Sequence, residues 1–449
     1  MNRILPMNRQ ISPKDSKRFR DFPASFVNAL NPWETCGGSG SVSRSEWNKK
    51  LPMNRCPERG QLCPRDPNST DSRTRLSALQ SRFRVSKCEF LFQRILTLVW
   101  LGAATLAVSG CATYNRRGLD PRQAREIEAG YAARKDTLST ELKARILALD
   151  PEHVTESQIR EVLSQAPAPR IINLHGGIFP VHTRMISFSK FLVGMGYPEF
   201  SLTNAADGTY TFSCYESSAK VAGMIAWYYE KEGLRPIIVG HSQGGFQAVK
   251  ILYLLAGRTA DRLEVWSPLT WKPEGRFEIT DPLTGKERAV VGLQLPYVTT
   301  VGSGGLTRFL PNQWSACGRL RKIPDSVEEF TGFYKGMDLL GGDFLGYGPA
   351  NHSKPNGHAV VRTICLPTHY HHGAIPDTEH LLASQELKDW INRYQPGPGP
   401  VETPKLDRQF DTDSRHILWA ADVWHSIKKH WVLELQRMIR AQSSRQHGS

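Results

Sequence analysis

The first 110 residues lack two residue types that the rest of the chain uses freely. They contain none of the 14 histidines and none of the 13 tyrosines. They do contain 18 Lys and Arg residues against 8 Asp and Glu residues, and so carry +10 of the formal net charge of +14. The remainder of the chain is nearly balanced and has no basic stripe interleaved with aromatic residues. The net positive charge therefore does not indicate a nucleic-acid partner, and the sequence predicts none.

Residues 1–84 also lack a sustained helical or strand periodicity. Arg, Pro, Ser and Asn are frequent, and Leu-Pro-Met-Asn-Arg occurs twice, at 5–9 and at 51–55. Such a composition is typical of a disordered basic tail. A second interpretation is upstream sequence translated from a start chosen too early, with a non-methionine initiator near Val85. We favour the second interpretation, because the segment that follows is typical of a protein N-terminus.

The apolar run in that segment is short. Residues 95–108 form an uncharged stretch of 14 residues, whereas a spanning helix needs about 20 apolar residues. The length suits the apolar core of a signal peptide. Lys87 and Arg94 supply the positive charges that precede such a core. The sequence therefore predicts a signal peptide over residues 85–110.

The end of this segment, Val108-Ser109-Gly110-Cys111, resembles the lipobox of bacterial lipoproteins, in which small residues directly precede a cysteine. The resemblance implies that Cys111 is diacylated and becomes the first residue of the mature chain. Two acyl chains are enough for stable anchoring to a membrane. Ala112 follows the cysteine instead of Asp, which implies the periplasmic side of the outer membrane in a Gram-negative cell. The expected location is the cell envelope.

Cysteine is scarce after residue 111. Cys214, Cys317 and Cys365 remain, so at most one disulfide can form among them. There is no Cys-x-x-Cys pair and no spacing typical of zinc ligands. Histidines cluster at 369–372, but no partnered carboxylates have ligand spacing. We therefore expect no metal.

Residues 237–246 read Ile-Ile-Val-Gly-His-Ser-Gln-Gly-Gly-Phe and predict a strand, a tight turn and a helix. Ser242 lies at the turn, between Gly240 and Gly244. In this context the G-x-S-x-G motif predicts a nucleophile, because the turn lifts the serine Oγ clear of the sheet edge. Glycine is needed two positions to either side, since a side chain there would collide with the turn. The amide of Gln243, at the helix start, is then available to an oxyanion.

A second glycine-rich loop precedes this motif. Residues 171–174 indicate a short buried strand, and a His-Gly-Gly loop ending at Gly177 follows it. With the serine turn, this loop resembles the α/β-hydrolase family, esterase and lipase branch, over about residues 167–394. The resemblance implies a mostly parallel sheet with helices on both faces, and an oxyanion bound by the N–H groups of Gly177 and Gln243. We expect His175 to bond the loop backbone instead of taking part in catalysis.

In this family an acidic residue and then a histidine follow the serine along the chain. Asp338 comes directly after a predicted strand at 330–337 and is the preferred acid, with Asp343 as the alternative. The loop after the predicted last strand contains three histidines. His372 is the preferred base there, and His371 is the alternative.

The segments that flank residues 167–394 are expected to be helical. Residues 111–166 are predicted to contain a tether, one helix over 122–149 and a shorter helix that begins in a capping box. Residues 395–449 are predicted to form a linker and an amphipathic helix over 414–441. The tryptophans and basic residues of that helix would suit a lipid surface, but packing against the catalytic domain is the expected role.

The resemblance to the α/β-hydrolase family implies a serine hydrolase of carboxylic esters that acts through Ser242, Asp338 and His372, forms an acyl-enzyme and needs no cofactor. The expected substrate is a small-molecule or lipid ester, and the membrane is a partner through the lipid anchor. Two alternatives stay open from the sequence. One is acyl transfer to an alcohol or amine by the same three residues. The other is a non-catalytic envelope lipoprotein that uses the fold as a scaffold.

Overall fold

The computed structural model describes residues 118–135, 138–304, 311–316, 318–341, 352–397 and 414–448. Several features named from the sequence lie outside these residues: segments 1–84 and 85–110, Cys111, Cys317 and the alternative acid Asp343. Among the helices that the structure describes, none is both long and apolar enough to cross a membrane.

A parallel sheet organises the described chain. The strands in chain order are β1 (Ile171–Leu174), β2 (Ile237–His241), β3 (Trp266–Ser267), β4 (Lys272–Pro273), β5 (Glu278–Thr280), β6 (Glu287–Ala289), β7 (Leu295–Val301), β8 (Lys322–Ile323), β9 (Val327–Lys335), β10 (Lys354–Pro355) and β11 (Val360–Leu366). β1, β2, β7, β9 and β11 form the five-stranded sheet in this order, with every neighbouring pair parallel. The short strands pair in two-stranded ribbons. The α/β class predicted from the sequence is confirmed.

The isoleucines of β1 and β2 are buried on both faces of the sheet. Ile171 pairs with Ile237, and both pack into the hydrophobic cluster on one face. Ile172 pairs with Ile238, and both pack into the cluster on the other face. Successive side chains of a strand point to opposite faces, so consecutive apolar residues indicate a strand that is covered on both sides.

Helices cover both faces of the sheet. They are α1 (Pro121–Lys135), α2 (Thr140–Leu147), α3 (Glu156–Glu161), α4 (Phe179–Gly194), α5 (Ser218–Glu232), α6 (Gln243–Leu255), α7 (Gln385–Arg393) and α8 (Ile417–Gly448). Residues of α2, α3, α4, α7 and α8 belong to the cluster that contains Ile171. Residues of α1, α5 and α6 belong to the cluster that contains Ile172. The resulting order of layers is helix, sheet, helix.

The N-terminal helices differ from the prediction in one respect. The pattern over 122–149 predicted a single helix, but the chain forms α1 and α2 as separate helices. The Ser139 side chain accepts a hydrogen bond from Leu142 N at 3.1 Å, and this cap begins a new helix. The predicted capping box is confirmed, since Thr155 and Gln158 each bond the backbone N–H of the other.

The C-terminal helix α8 packs against the sheet. Its tryptophans Trp419, Trp424 and Trp431 are fully buried. Trp431 Nε1 donates to the Pro167 carbonyl at 2.9 Å, and Trp424 Nε1 donates to Asn392 Oδ1 at 2.9 Å. The lipid-surface interpretation of these tryptophans is wrong, because rings packed in the protein core do not contact lipid. The helix is part of the core that supports the sheet.

Buried ion pairs join the sheet to helices on both faces. Arg170, directly before β1, lies 2.6 Å from Glu232 at the end of α5. Arg235, before β2, lies 2.6 Å from Glu434 of α8. A buried charge that loses its partner costs several kcal/mol, so each pair favours one placement of its helix against the sheet.

Candidate active site

The residues named from the sequence follow the carboxyl ends of four strands. Gly177 follows β1, Ser242 follows β2, Asp338 follows β9 and His372 follows β11. Because these strands are parallel, their carboxyl ends lie along the same edge of the sheet. That edge is where open α/β sheets bind their ligands. The sheet therefore gathers side chains that are far apart in the sequence.

Ser242 has a strained backbone at the end of β2. Its φ is 53° and its ψ is −117°, a combination that residues with a side chain rarely adopt. Ser242 N donates to the carbonyl of Val301, the last residue of β7, at 2.8 Å. Helix α6 begins at the next residue. The strand pairing and the helix together hold the turn, which presents Oγ above the sheet edge.

Two glycines let the backbone around Ser242 pack this closely. A Cβ at Gly240 would lie 2.7 Å from the Cα of Gly245. A Cβ at Gly244 would overlap the carbonyl of Leu174, at the end of β1. Both obstacles are backbone atoms, so no larger residue fits without movement of the chain. The predicted need for glycine is confirmed at both positions, and at Gly244 the obstacle is the neighbouring strand instead of the turn itself.

His372 connects Ser242 to Asp338. His372 Nε2 lies 3.1 Å from Ser242 Oγ, and His372 Nδ1 lies 2.7 Å from Asp338 Oδ2. An ionised carboxylate only accepts, so Nδ1 carries the ring proton and Nε2 is left to accept the serine proton. The other carboxylate oxygen of Asp338 accepts from the N–H groups of Leu340 at 3.0 Å and Gly341 at 2.7 Å. These bonds fix the orientation of the carboxylate.

The three side chains are buried, with Ser242 6%, Asp338 4% and His372 8% exposed. Burial raises the pKa of Asp338. The hydrogen bond from His372, the charge of His372 and the N–H of Gly341 outweigh burial and hold this pKa below that of an ordinary aspartate. Asp338 is therefore ionised at neutral pH. An ionised carboxylate keeps the ring in one tautomer and stabilises the imidazolium that forms when the serine proton is taken.

Among the described residues, His371, the alternative base, makes no hydrogen bond to Ser242 or Asp338. His371 is exposed, and the bonds to Ser242 and Asp338 come from the ring of His372. Partial burial and the nearby cation Arg184 lower the pKa of His371. Of these two histidines, the structure brings His372 to the serine.

Gly177 and Gln243 lie side by side near the serine turn. A Cβ at Gly177 would overlap the Gln243 side chain. Gln243 is the first residue of α6, so its N–H has no acceptor within the helix and lies at the positive end of the helix dipole. Tyr215 Oη donates to the Gly177 carbonyl at 3.0 Å, and Cys214 Sγ donates to Gln243 Oε1 at 3.4 Å. The backbone N–H groups of Gly177 and Gln243 are therefore candidates for binding an oxyanion.

His175 bonds the backbone of its own loop. Its Nδ1 lies 2.7 Å from the Gly176 carbonyl oxygen, and its backbone N donates to Phe212 O at 3.2 Å. Phe212 in turn forms a parallel bridge with Leu174 at the outer edge of β1. These contacts agree with the structural role expected for His175.

Two residues at the site were missed by sequence reasoning. His241, directly before Ser242, is fully buried, and its Nε2 lies 2.8 Å from the carbonyl oxygen of His372. Tyr215 contacts the loop at Gly177. Both act on loops that are distant in sequence, so no motif spacing reveals them. The only available signal was the position of His241 within the serine motif.

Within the described ranges, no group of three or more His, Cys, Asp and Glu side chains is placed to hold a metal ion. In the same part of the chain, neither Cys214 nor Cys365 takes part in a disulfide. The side chains of His372 and Asp338 can take a hydroxyl proton and orient the base, and the backbone N–H groups of Gly177 and Gln243 are candidates to stabilise a negative oxygen. These are the requirements of nucleophilic acyl chemistry.

Comparisons of this chain with protein-family models, with curated proteins and with solved structures find no match. A function for the protein must therefore be inferred from the residues and geometry of the site.

Proposed function

We propose that this protein is a serine hydrolase that cleaves carboxylic esters through an acyl-enzyme. The observation that carries the proposal is the pair of bonds from His372, to Ser242 at 3.1 Å and to Asp338 at 2.7 Å. A serine hydroxyl is a weak nucleophile until a positioned base removes its proton. The imidazole can accept that proton at Nε2 when its ring proton is on Nδ1, where it is held by a hydrogen bond to an acceptor. The same ring meets both conditions.

In the proposed reaction, His372 Nε2 takes the Ser242 proton as Oγ attacks the ester carbonyl carbon. The N–H groups of Gln243 and Gly177 bind the negative charge that develops on the carbonyl oxygen. Asp338 stays ionised and stabilises the imidazolium. The imidazolium gives its proton to the departing alkoxide as the C–O bond breaks, which leaves an acyl-enzyme. Water, deprotonated by the same ring, then releases the acid and restores the serine.

The order of elements supports the α/β-hydrolase family for the fold. The predicted oxyanion loop follows β1, and the serine turn follows the adjacent β2. The acid and the histidine follow β9 and β11, farther along the sheet. In that family the nucleophile, acid and base occur in this chain order. We infer an α/β-hydrolase fold onto which the N- and C-terminal helices pack.

Exposed apolar side chains beside the acid support an ester with an apolar group. Met337, Leu339 and Leu340 are 68%, 45% and 45% exposed, and they flank Asp338 in the loop after β9. Ligand sites are lined mainly by apolar side chains, and an exposed apolar surface favours an apolar ligand. The proposed substrate is therefore a small-molecule or lipid ester, and the proposed reaction needs no cofactor.

We also propose that the protein is anchored in the cell envelope by acylation of Cys111, at the periplasmic side of the outer membrane in a Gram-negative cell. The proposal rests on the small residues before Cys111 and on the apolar run over 95–108. Cells fed an alkyne fatty acid test it. We expect label on the wild-type protein and on Cys365→Ser, and none on Cys111→Ser. Equal labelling of the wild type and Cys111→Ser would contradict the anchor.

A fluorophosphonate probe tests the catalytic proposal, because it phosphonylates a serine that a neighbouring base activates. We expect the full chain to be labelled, and Ser242→Ala to be unlabelled. Ser217→Ala is the control, since Ser217 is exposed and its side chain makes no capping bond. Folded wild-type protein that takes no label would contradict the enzyme and favour a non-catalytic lipoprotein.

A panel of p-nitrophenyl esters of increasing chain length then gives the acyl preference. Adding an acceptor alcohol or amine distinguishes hydrolysis from acyl transfer by product analysis. We expect the free acid as the main product. A transferred ester or amide as the main product would favour an acyltransferase instead.

A further inference from the structure

His241 joins the serine turn to the loop that carries His372. Its Nε2 lies 2.8 Å from the carbonyl oxygen of His372, and the centroids of the two imidazole rings are 5.0 Å apart. A carbonyl oxygen only accepts, so Nε2 of His241 carries a proton. The accepting carbonyl belongs to the first residue of the short 3-10 turn His372–Ala374. The bond therefore ties the end of β2 to the backbone of the proposed base.

The other nitrogen of His241 is in no position to hold a proton. Within the described residues, His241 Nδ1 has no hydrogen-bond partner. Gly176, in the predicted oxyanion loop, packs next to it, and a Cβ at Gly176 would lie 2.9 Å from Nδ1. A proton on Nδ1 would create a buried charge without an acceptor, which is costly. Burial and the charge of His372 lower the pKa of His241 to about 3, so its ring is neutral at physiological pH.

We propose that His241 is a positioning residue that acts as a neutral Nε2–H donor, holds the backbone of His372 and so aims the imidazole of His372 at Ser242. This inference rests on the proposed hydrolase function. Neutrality matters because His372 becomes cationic during the proposed reaction. The ionisable side chains that act on His241 are His372, Asp338 and Arg184. A second imidazolium beside His372 would repel the one that forms there.

The test replaces His241 in the full chain by Phe and by Gln. Phe keeps the bulk of the ring but cannot donate, whereas Gln places an amide N–H near the position of Nε2. We expect His241→Phe to lower kcat about 10- to 100-fold, with KM changed less than about twofold, because a shift of about 1 Å in a reacting group costs up to about 100-fold. His241→Gln is expected to restore kcat to within about fivefold of wild type.

His425→Phe is the matched control. It removes another buried imidazole, on α8, and we expect it to lower the melting temperature while kcat stays unchanged. Wild-type kcat in His241→Phe would overturn the positioning role. So would a loss in His241→Gln as large as the loss in His241→Phe. A wild-type chain that takes no fluorophosphonate and hydrolyses no ester contradicts the proposed function itself, which is a separate result.

A measurement on the wild-type protein covers the case in which the variants do not fold. Nitrogen-15 NMR of the histidine rings reports the tautomer and protonation of each imidazole. We expect His241 to stay as the Nε2–H tautomer without titrating from about pH 5 to about pH 9. Titration of His241 in this range, or a proton on Nδ1, would overturn the proposal.

Discussion

The substitution Asp338→Asn tests the proton arrangement around His372. In the wild type, one carboxylate oxygen accepts from Leu340 N at 3.0 Å and Gly341 N at 2.7 Å. The other accepts from His372 Nδ1 at 2.7 Å. We expect the asparagine to keep its carbonyl oxygen toward the two backbone N–H groups, because its NH2 group cannot accept from them. The NH2 group then donates to Nδ1, and the ring proton moves to Nε2, which faces Ser242.

With a proton on Nε2, His372 has no lone pair for the serine hydroxyl. Loss of the correct tautomer in a Ser-His-Asp site costs about 10⁴ in kcat, which corresponds to about 5.4 kcal/mol of activation free energy. The substitution also removes the charge that stabilises the imidazolium. We therefore expect kcat to fall by about 10³- to 10⁴-fold. KM should change little, since Asp338 bonds the base and the loop backbone.

The assay is steady-state ester hydrolysis by the full chain, together with the rate of fluorophosphonate labelling. Thermal unfolding verifies that each variant is folded. Asp343→Asn is the control for the acid assignment and is expected to stay within about threefold of wild type. A folded Asp338→Asn that keeps more than about a tenth of the wild-type kcat would refute the tautomer argument. If Asp343→Asn lost activity and Asp338→Asn retained it, Asp343 would be the acid instead of Asp338.

Three further predictions concern the stability of the fold, each measured by urea unfolding. Gly244→Ala should cost about 1–3 kcal/mol because its Cβ overlaps a carbonyl of β1. Gly130→Ala, with open space on α1, should be neutral or stabilise by up to about 1 kcal/mol; equal costs would contradict the steric argument. Glu232→Gln should cost about 3–5 kcal/mol because its arginine partner is buried. Glu126→Gln, in an exposed ion pair, should cost less than about 1 kcal/mol. A similar loss of stability in Glu232→Gln and Glu126→Gln would contradict the larger contribution of the buried pair. Burial lowers the pKa of His416 to about 4, whereas an unfolded histidine has a pKa of about 6.5. The unfolded chain therefore binds the extra proton between these values, and His416 alone should contribute about 2 kcal/mol to the fall in stability from about pH 7.5 to about pH 5. His416→Asn should reduce the fall by that amount, and a fall equal to that of the wild type would contradict the prediction.

The local parts of the site were predictable because they depend on residues that are close in sequence. The strand and helix around Ser242 occur where the pattern predicted them, as β2 and α6. Gly240 is needed for its contact with Gly244 and Gly245, a few residues along the chain. The capping box at Thr155 is local in the same sense. Steric contacts and hydrogen bonds between residues that are close in sequence can be predicted from the local amino-acid pattern.

The break between α1 and α2 and the choice between His371 and His372 were less predictable. The sequence predicted one helix over 122–149, because its apolar spacing continued past Ser139, where a competing cap begins α2. It also left the choice between His371 and His372 open. One position along this loop separates a ring that bonds Ser242 from an exposed ring. That difference depends on the direction in which the loop leaves β11, and a local pattern does not report it.

The sequence by itself determined the α/β class and the strand, turn and helix around Ser242, since periodicity and turn chemistry act over a few residues. The tertiary structure alone decided which histidine meets the serine and that His241 holds its backbone. It also decided the role of the α8 tryptophans, because an amphipathic face has the same pattern against a core or a lipid surface. These outcomes depend on the parallel sheet, which brings the carboxyl ends of distant strands to one edge.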